Sequence, residues 1–339
     1  MSNSLLVPFE LLKQNVFSRL VAAGVIPEEA SVEAEIMAEA DLHGVASHGV
    51  RMLPPLLSAI AEGRINPKPA ISIARAFGAI TVIDYDNGPG RYAAHHAMQQ
   101  AMRLAGDFGV GVCLAKNTSH WGRAHAYGNR AAQAGFIGLC TTNAIPTMAI
   151  GGATKAVIGN NPLAIGIPGV IPGEPVVLDM AMSQAAVGKV GTWLREGKPL
   201  PGNWGLDKDG NPSQDAREIL QGAVLPMGEH KGAGLAVMFE LLTAALAGAA
   251  FTQQIRAQDP SGVDPHASKI FIALNVAAFI NPADFQQHTA TFIEYLKTEA
   301  APFNYPGERG WQTAKKQLET GVALHEEIVA QLNAVDVYF

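Results

Sequence analysis

Residues 71–90 read ISIARAFGAITVIDYDNGPG, and this stretch decides the fold class. β-Branched and aromatic residues lie on both sides of Gly78, and Asn87-Gly88-Pro89-Gly90 then breaks the run. The pattern predicts two short strands and a turn. Working downstream, a helical stretch over about 91–108 leads into the apolar run GVGVCLA (109–115). A second helix over about 122–134 precedes FIGLCTT (136–142). LAIGIP (163–168), PVVLDMAM (175–182) and KIFIALNVAAF (269–279) read as further strands. Strands interleaved with helices make an α/β layer structure.

Upstream, residues 7–64 read as helical. Val16, Leu20 and Val21 share an apolar face, and PEEASVEAEIMAEADLHG (27–44) opens on Pro and acids, as a helix N-terminus should. A third helix over 53–62 stops at Gly63, and 66–69 is a Pro-punctuated linker. The last stretch, 311–333, reads as helical and is expected to return to this first unit.

The chain has 339 residues, 48% hydrophobic, enough for a large core and two packed units. Lys+Arg number 24 against 30 Asp+Glu, with no basic run, which fits neither a nucleic-acid backbone nor an anionic membrane. Cys113 and Cys140 sit in apolar stretches, so they read as buried thiols rather than a disulfide framework or a zinc site. The N-terminal stretch MSNSLLVPFELLKQ lacks a basic region, and Pro8 and Glu10 interrupt its apolar run, so no signal peptide is expected. A cytoplasmic location follows as an expectation. Residues 232–251, GAGLAVMFELLTAALAGAAF, raise the membrane question. A charge at a membrane helix centre costs roughly 2.5–3.5 kcal/mol, and Glu240 lies near the middle; the segment reads as a buried helix.

For chemistry, no GxGxxG lies between a strand and a helix, and no Walker loop is present, so a standard Rossmann reading fails. PMGEHKGAGLAV (226–237) places glycines around Lys231 ahead of a helix, which suits a phosphate or a packing contact equally. Ser47-His48-Gly49 and Ser119-His120-Trp121-Gly122 lie at element boundaries, where side chains reach clefts. Histidine titrates near neutrality and is a ready proton donor to a carbonyl oxygen. His95, His96 and His288 read as helix-face residues. Asp179 ends a strand, where an acid can orient a histidine or bind a cofactor hydroxyl. Asn160 and Asn161 open another strand and either bind substrate or close a turn. His120 and His125 fall on different helix faces and no HExxH occurs, so no metal site is expected. Ser47 and His48 are adjacent and cannot form a hydrolytic pair.

Taken in order, DLHGVASHGV, AKNTSHWGRAHAYG, GGATKAVIGNNPLAIGIP, VVLDMAMSQAAVGKV, REGKPLPGNWGLDKDGNP, LPMGEHKGAGLAVMFELL and FNYPGERG resemble the type 2 malate/L-lactate dehydrogenase family. That family also holds ureidoglycolate and sulfolactate dehydrogenases, diketogulonate reductases and piperideine-2-carboxylate reductases. The resemblance implies a non-Rossmann mixed β-sheet with helices on both faces, and a smaller helical domain from both chain ends. In residue terms this means 1–70 plus 305–339 for the helical domain and 71–304 for an α/β cofactor-binding domain. It implies an intertwined homodimer and hydride transfer between NAD or NADP and a small 2-oxo or 2-hydroxy acid. Ser47, His48 and Asp179 fall where the family has a proton relay, and His120 where ureidoglycolate dehydrogenases have the proton acceptor. Asp179, Met180 and Ala181, then His230, Lys231 and Gly232, then Pro306, Gly307 and Glu308 fall on the cofactor positions. The alternatives are a cyclic-imine carboxylate reductase and a cofactor-binding protein without catalysis.

Three departures bear on the substrate. The family's SHGVxR, whose arginine the resemblance implies for the substrate carboxylate, reads SHGVRM, so Met52 stands in the arginine place and Arg51 one position early. On a helix that shift turns a side chain by about 100°. GTNP reads Gly159-Asn160-Asn161-Pro162, and PMGGHKG carries Glu229. Arg51, Asn160 and Asn161 are the substrate candidates.

Overall fold

The computed structural model describes residues 4–171, 173–195, 197–259 and 262–339. The chain begins with β1 (Ser4–Val7), α1 (Phe9–Ala22), α2 (Pro27–Leu42) and α3 (Leu53–Ala61). Pro27 at the head of α2 lacks an N–H that the first turn would leave unpaired anyway. The central part then runs β2 (Ser72–Phe77), β3 (Ile80–Gly88), α4 (Gly90–Phe108), β4 (Val110–Thr118), α5 (His125–Gln133), β5 (Phe136–Thr142), β6 (Leu163–Ile171) and β7 (Glu174–Met180). It continues through α6 (Val187–Arg195), the two-residue strands β8 (Gly205–Leu206) and β9 (Pro212–Ser213), α7 (Ala216–Gln221), β10 (Ala223–Val224), α8 (His230–Glu240) and α9 (Thr252–Gln258). The chain closes with β11 (Ala267–Asn275), α10 (Pro282–Glu299), α11 (Glu308–Thr320), β12 (Val322–His325) and α12 (Glu326–Asn333).

Seven strands form one mixed sheet in the order β2-β3-β4-β11-β5-β6-β7. Within it β3 and β4 pair in parallel, and every other neighbouring pair is antiparallel. Alternation along β6 shows the two faces. Ala164 packs with the alanine-rich sides of α4 and α5 around Phe271 and Tyr127, whereas Leu163 packs with Ala236 and Phe239 of α8. Small residues let the helices come close: a Cβ at Gly166 would lie 2.0 Å from the Gly128 carbonyl oxygen. A separate core gathers Leu12, Val16 and Leu20 with Leu53, Ala314, Leu324 and Leu332, so both chain ends build the helical part. The expected α/β class, with helices on both faces and a helical domain from the two termini, is the observed one.

Three local expectations change. The final stretch is not one helical run, because β12 interrupts it to pair antiparallel with β1. The helix expected from 122 begins at His125, because Gly122 sits at φ +73°, outside helical conformation. Residues 232–251 are not a buried helix. α8 passes into a π-helical turn, Leu241–Ala245, with Gly232, Ala236, Phe239, Glu240 and Thr243 buried. Leu235, Met238, Leu241, Leu242 and Leu246 are exposed, the last at 62%. Only one stripe meets the sheet, and Glu240 belongs to that stripe. Its carboxylate accepts from Asn143 Nδ2 at 3.2 Å, Asn161 Nδ2 at 3.0 Å and the Thr252 N–H at 2.7 Å.

Candidate active site

A cavity of about 570 Å³ opens where the helical part meets the strand ends of the sheet. Ser47 and His48 line it from the helical side, His120 from just beyond β4, and Asn160, Asp179, Met180 and Ala181 from β6 and β7. The two histidine rings stack at 5.9 Å between centroids, although 72 positions separate them in a count from 48 to 120.

Each ring is fixed by its local chain. Asp41, near the end of α2, accepts the Val50 N–H at 2.7 Å and so closes the loop that carries Ser47 and His48. Gly49 allows this, since a Cβ there would lie 2.1 Å from an Asp41 carboxylate oxygen. Burial raises the Asp41 carboxyl to about 7, against the Val50 hydrogen bond and Arg51, which lower it. Ser47 Oγ and His48 Nδ1 are 2.9 Å apart. On the other side, Lys269 reaches across from β11, and its ammonium donates to Thr118 Oγ1 and, at 2.9 Å, to the Ser119 carbonyl. The His120 N–H donates to the Val263 carbonyl at 2.7 Å. His120 Nδ1 accepts the Gly122 N–H at 3.1 Å. A backbone N–H can only donate, so a neutral His120 carries its proton on Nε2.

Buried charge surrounds the pair. Arg91, 2% exposed, lies at the head of α4, and its Nη1 donates to Glu33 of α2 at 3.1 Å. The same carboxylate accepts the backbone N–H groups of Arg91 at 2.6 Å and Tyr92 at 2.9 Å. Burial pushes His48 down to about 4, helped by Arg91, Arg123 and Arg51. Burial also pushes His120 well below the ordinary imidazole range, with Arg91, His48 and Lys269 acting in the same direction. Both rings are therefore neutral near pH 7.

Asp179 Oδ2 accepts the His125 N–H at 3.0 Å and lies 3.5 Å from Arg123 Nε. Among the described residues no hydrogen bond joins Asp179 to Ser47 or His48. Burial raises its carboxyl, and Arg123 and the His125 N–H oppose that shift. Asn160 faces the cavity. Asn161 is fully buried behind it, at φ +27°, with its Nδ2 donating to the Ala236 carbonyl at 2.9 Å and to Glu240. Arg51 is outside the cavity wall, near Asp41 and Arg195.

The three expected cofactor segments converge on β7 and its exit. The Met227 N–H donates to Met182 O at 2.9 Å, which docks the start of α8 beside Ala181. Gly232 is required there, because a Cβ would lie 2.3 Å from Met182 O and 2.7 Å from Met227 O. His230 and Lys231 are exposed on the first turn of α8, with no carboxylate partner among the described residues. From the other side, Val177 N–H donates to Pro306 O at 2.9 Å, and Glu308 pairs with Lys297.

The sequence did not single out Glu33, Arg91, Arg123, Lys189 or Trp193. Arg91 directly follows the Gly88-Pro89-Gly90 break, which was a usable signal; Lys189 lies in the VGKV stretch of one of the matching segments. α6, which carries Lys189 and Trp193, leans on the histidine loop: a Cβ at Gly188 would lie 2.7 Å from Ser47 Cβ.

Known proteins resemble this chain along nearly its whole length. The profile of the family described as malate/L-lactate dehydrogenase matches residues 7–333. A malate dehydrogenase of Pyrococcus horikoshii is 30% identical, covering 98% of this chain and 95% of its own. The solved sulfolactate dehydrogenase of Methanocaldococcus jannaschii superposes with a TM-score of 0.88 at 31% identity, over 98% of both chains. The Δ1-piperideine-2-carboxylate reductase of Pseudomonas syringae superposes at 0.89 with 28% identity, over 98% of this chain and 99% of that one. The chain belongs to the malate/L-lactate dehydrogenase family and is an oxidoreductase of its dehydrogenase and reductase kind.

Proposed function

We propose that this protein transfers a hydride between NAD or NADP and a small 2-oxo or 2-hydroxy acid in this cavity. The observation that carries the reading is the stacked His48–His120 pair, set in one cavity with Asp179, Met180 and Ala181. The residues around β7 fit a dinucleotide. His230 and Lys231 offer unpaired basic side chains to phosphate at a helix N-terminus, and Met180 and Ala181 offer an apolar wall. A nicotinamide held by these residues would supply or take the hydride at the substrate's second carbon.

The chain's own part is the proton. His120 keeps its Nε2 proton, because its Nδ1 is held by the Gly122 N–H, and offers it as a hydrogen bond that polarises the substrate's oxygen. In oxidation, His48, neutral near pH 7 with its Nδ1 on Ser47 Oγ, takes the hydroxyl proton on Nε2 and becomes the imidazolium. In reduction, the imidazolium formed by a proton from solvent returns it to the oxygen that becomes the hydroxyl. Ser47 holds the His48 ring beside His120. Asp179 acts through Arg123 and the head of α5, and keeps the cavity wall in place.

A second copy of the chain covering the exposed face of α8 fits the apolar row Leu235, Met238, Leu241, Leu242 and Leu246. The test is a panel of 2-oxo acids, 2-hydroxy acids and cyclic imines with each cofactor, read at 340 nm, beside a fluorescence titration of NADH and NADPH. Turnover of one class with His48→Asn nearly silent supports the reading. Failure of both cofactors to bind at millimolar concentration overturns it, and light scattering reads the oligomeric state in the same samples.

A further inference from the structure

We infer that Lys189 is the cation that holds the substrate's carboxylate, taking the part that the family motif gives to an arginine at position 52. The inference rests on the 2-oxo acid reading above and names the residue that selects an anionic substrate. Position 52 is Met, and the neighbouring Arg51 is outside the cavity wall, where its charge faces Asp41 and Arg195. Two cations line the cavity, Arg123 and Lys189. Arg123 Nε lies 3.5 Å from Asp179 Oδ2, so its charge is already balanced there, although its Nη1 has no partner among the described residues. Lys189 is exposed and has no carboxylate partner among the described residues.

Its ammonium is nevertheless held. It lies 5.6 Å from the Trp193 ring centroid and 5.2 Å from that of Trp204, and the two indoles are 4.9 Å apart. Cation–π contact fixes the direction of a lysine without neutralising it, so a full charge is left for an anion. The contact of Gly188 with Ser47 sets this turn of α6 against the histidine loop. A carboxylate on Lys189 is therefore in the cavity that His48 and His120 also line. Of the acids in the wall, Asp179 is paired with Arg123, and Asp264 accepts the Ile145 N–H at 2.9 Å. Neither pairs with Lys189 among the described residues.

The test is calorimetric titration of oxamate, a 2-oxo acid mimic, into the wild-type protein, Lys189→Met, Lys189→Arg and Arg51→Met, with and without reduced cofactor. Losing one charge-assisted hydrogen bond weakens oxamate about ten- to hundredfold in Lys189→Met. Lys189→Arg retains most of the affinity, and Arg51→Met retains all of it. Cofactor titration and circular dichroism are unchanged in Lys189→Met, which separates lost anchoring from lost folding. Oxamate that binds Lys189→Met as tightly as the wild type, or fails to bind the wild type, overturns the inference. Loss of affinity in Arg51→Met instead returns the role to the helical loop. Absence of cofactor binding in the wild type defeats the hydride-transfer reading alone, because the oxamate comparison does not depend on turnover.

Discussion

His120 and Gly122 form a two-residue clasp in which the glycine N–H points at Nδ1 of the imidazole from 3.1 Å. It fixes where the ring carries its proton, and with His48 beside it leaves two uncharged rings facing one cavity. Nitrogen-15 spectra of the imidazoles should therefore show His120 as the Nε2–H form at pH about 6–8 and His48 neutral down to pH about 5. An imidazolium signal from either ring at pH about 6 would remove the neutral-donor assignment.

The same neutrality makes stability fall in acid. His48 titrates near 4 in the folded chain and near 6.5 when unfolded, so the unfolded state binds more protons between those limits. Stability is lost as pH drops through that window. At pH about 5 the difference is about 2 kcal/mol for this ring. His48→Gln cannot take up the proton, so its urea unfolding should lose about that much less than wild type between pH about 7.5 and about 5. Parallel losses in the two proteins would place the acid sensitivity elsewhere.

Glu229 occupies φ +53° and ψ −106°, a conformation that glycine adopts freely and a side chain does not. Such strain is of order 1–3 kcal/mol per residue. Glu229→Gly should raise the melting temperature, with a gain of about 1 kcal/mol. A lower melting temperature would show that the carboxylate makes a compensating contact.

Glu33 and Arg91 are a buried ion pair, 0% and 2% exposed, and Arg91 Nε and Nη2 have no hydrogen-bond partner among the described residues. Glu33→Gln leaves an uncompensated guanidinium next to the histidines and should cost about 3–5 kcal/mol. Adding Arg91→Met to that variant should recover part of the loss in thermal denaturation. A double variant no more stable than Glu33→Gln would show that the pair acts through helix capping rather than charge.

Asn161 and Glu240 make a further test of placement. The Asn161 carboxamide is buried against Glu240 and the Ala236 carbonyl, so Asn161→Ala removes two hydrogen bonds from the core. Each is worth about 1–3 kcal/mol when its partner is left unsatisfied. The expected outcome is a lower melting temperature with KM close to wild type, whereas Asn160→Ala should change KM with little loss of stability. A KM effect confined to Asn161 would reverse these roles.

Strands β3 to β7 and β11 were legible because β-branched runs and their turn residues are local signals. The histidine segments and the β7 exit were legible because ordered motifs carried them. What was not legible depends on distance along the chain. Glu33 and Arg91 are 58 positions apart, and nothing in either neighbourhood announces the other. The apolar texture of 232–251 shows that the segment is hydrophobic, and it does not say which stripe meets the sheet. The short pairing of β1 with β12 joins opposite ends of the sequence, beyond the reach of periodicity.

The parallel pair β3 and β4, with α4 between them, is the one place in the main sheet built like the crossover of doubly wound dinucleotide-binding folds. There the helix head would normally receive a pyrophosphate, but in this chain Glu33 already occupies it, and Ser119 closes over Gly90, whose added Cβ would lie 2.0 Å from the Ser119 carbonyl oxygen. The protein is in effect its own permanent ligand at that position. The head of α4 thus has its Arg91 and Tyr92 N–H groups already satisfied from within the chain, and a glycine fingerprint before it would have no phosphate to serve.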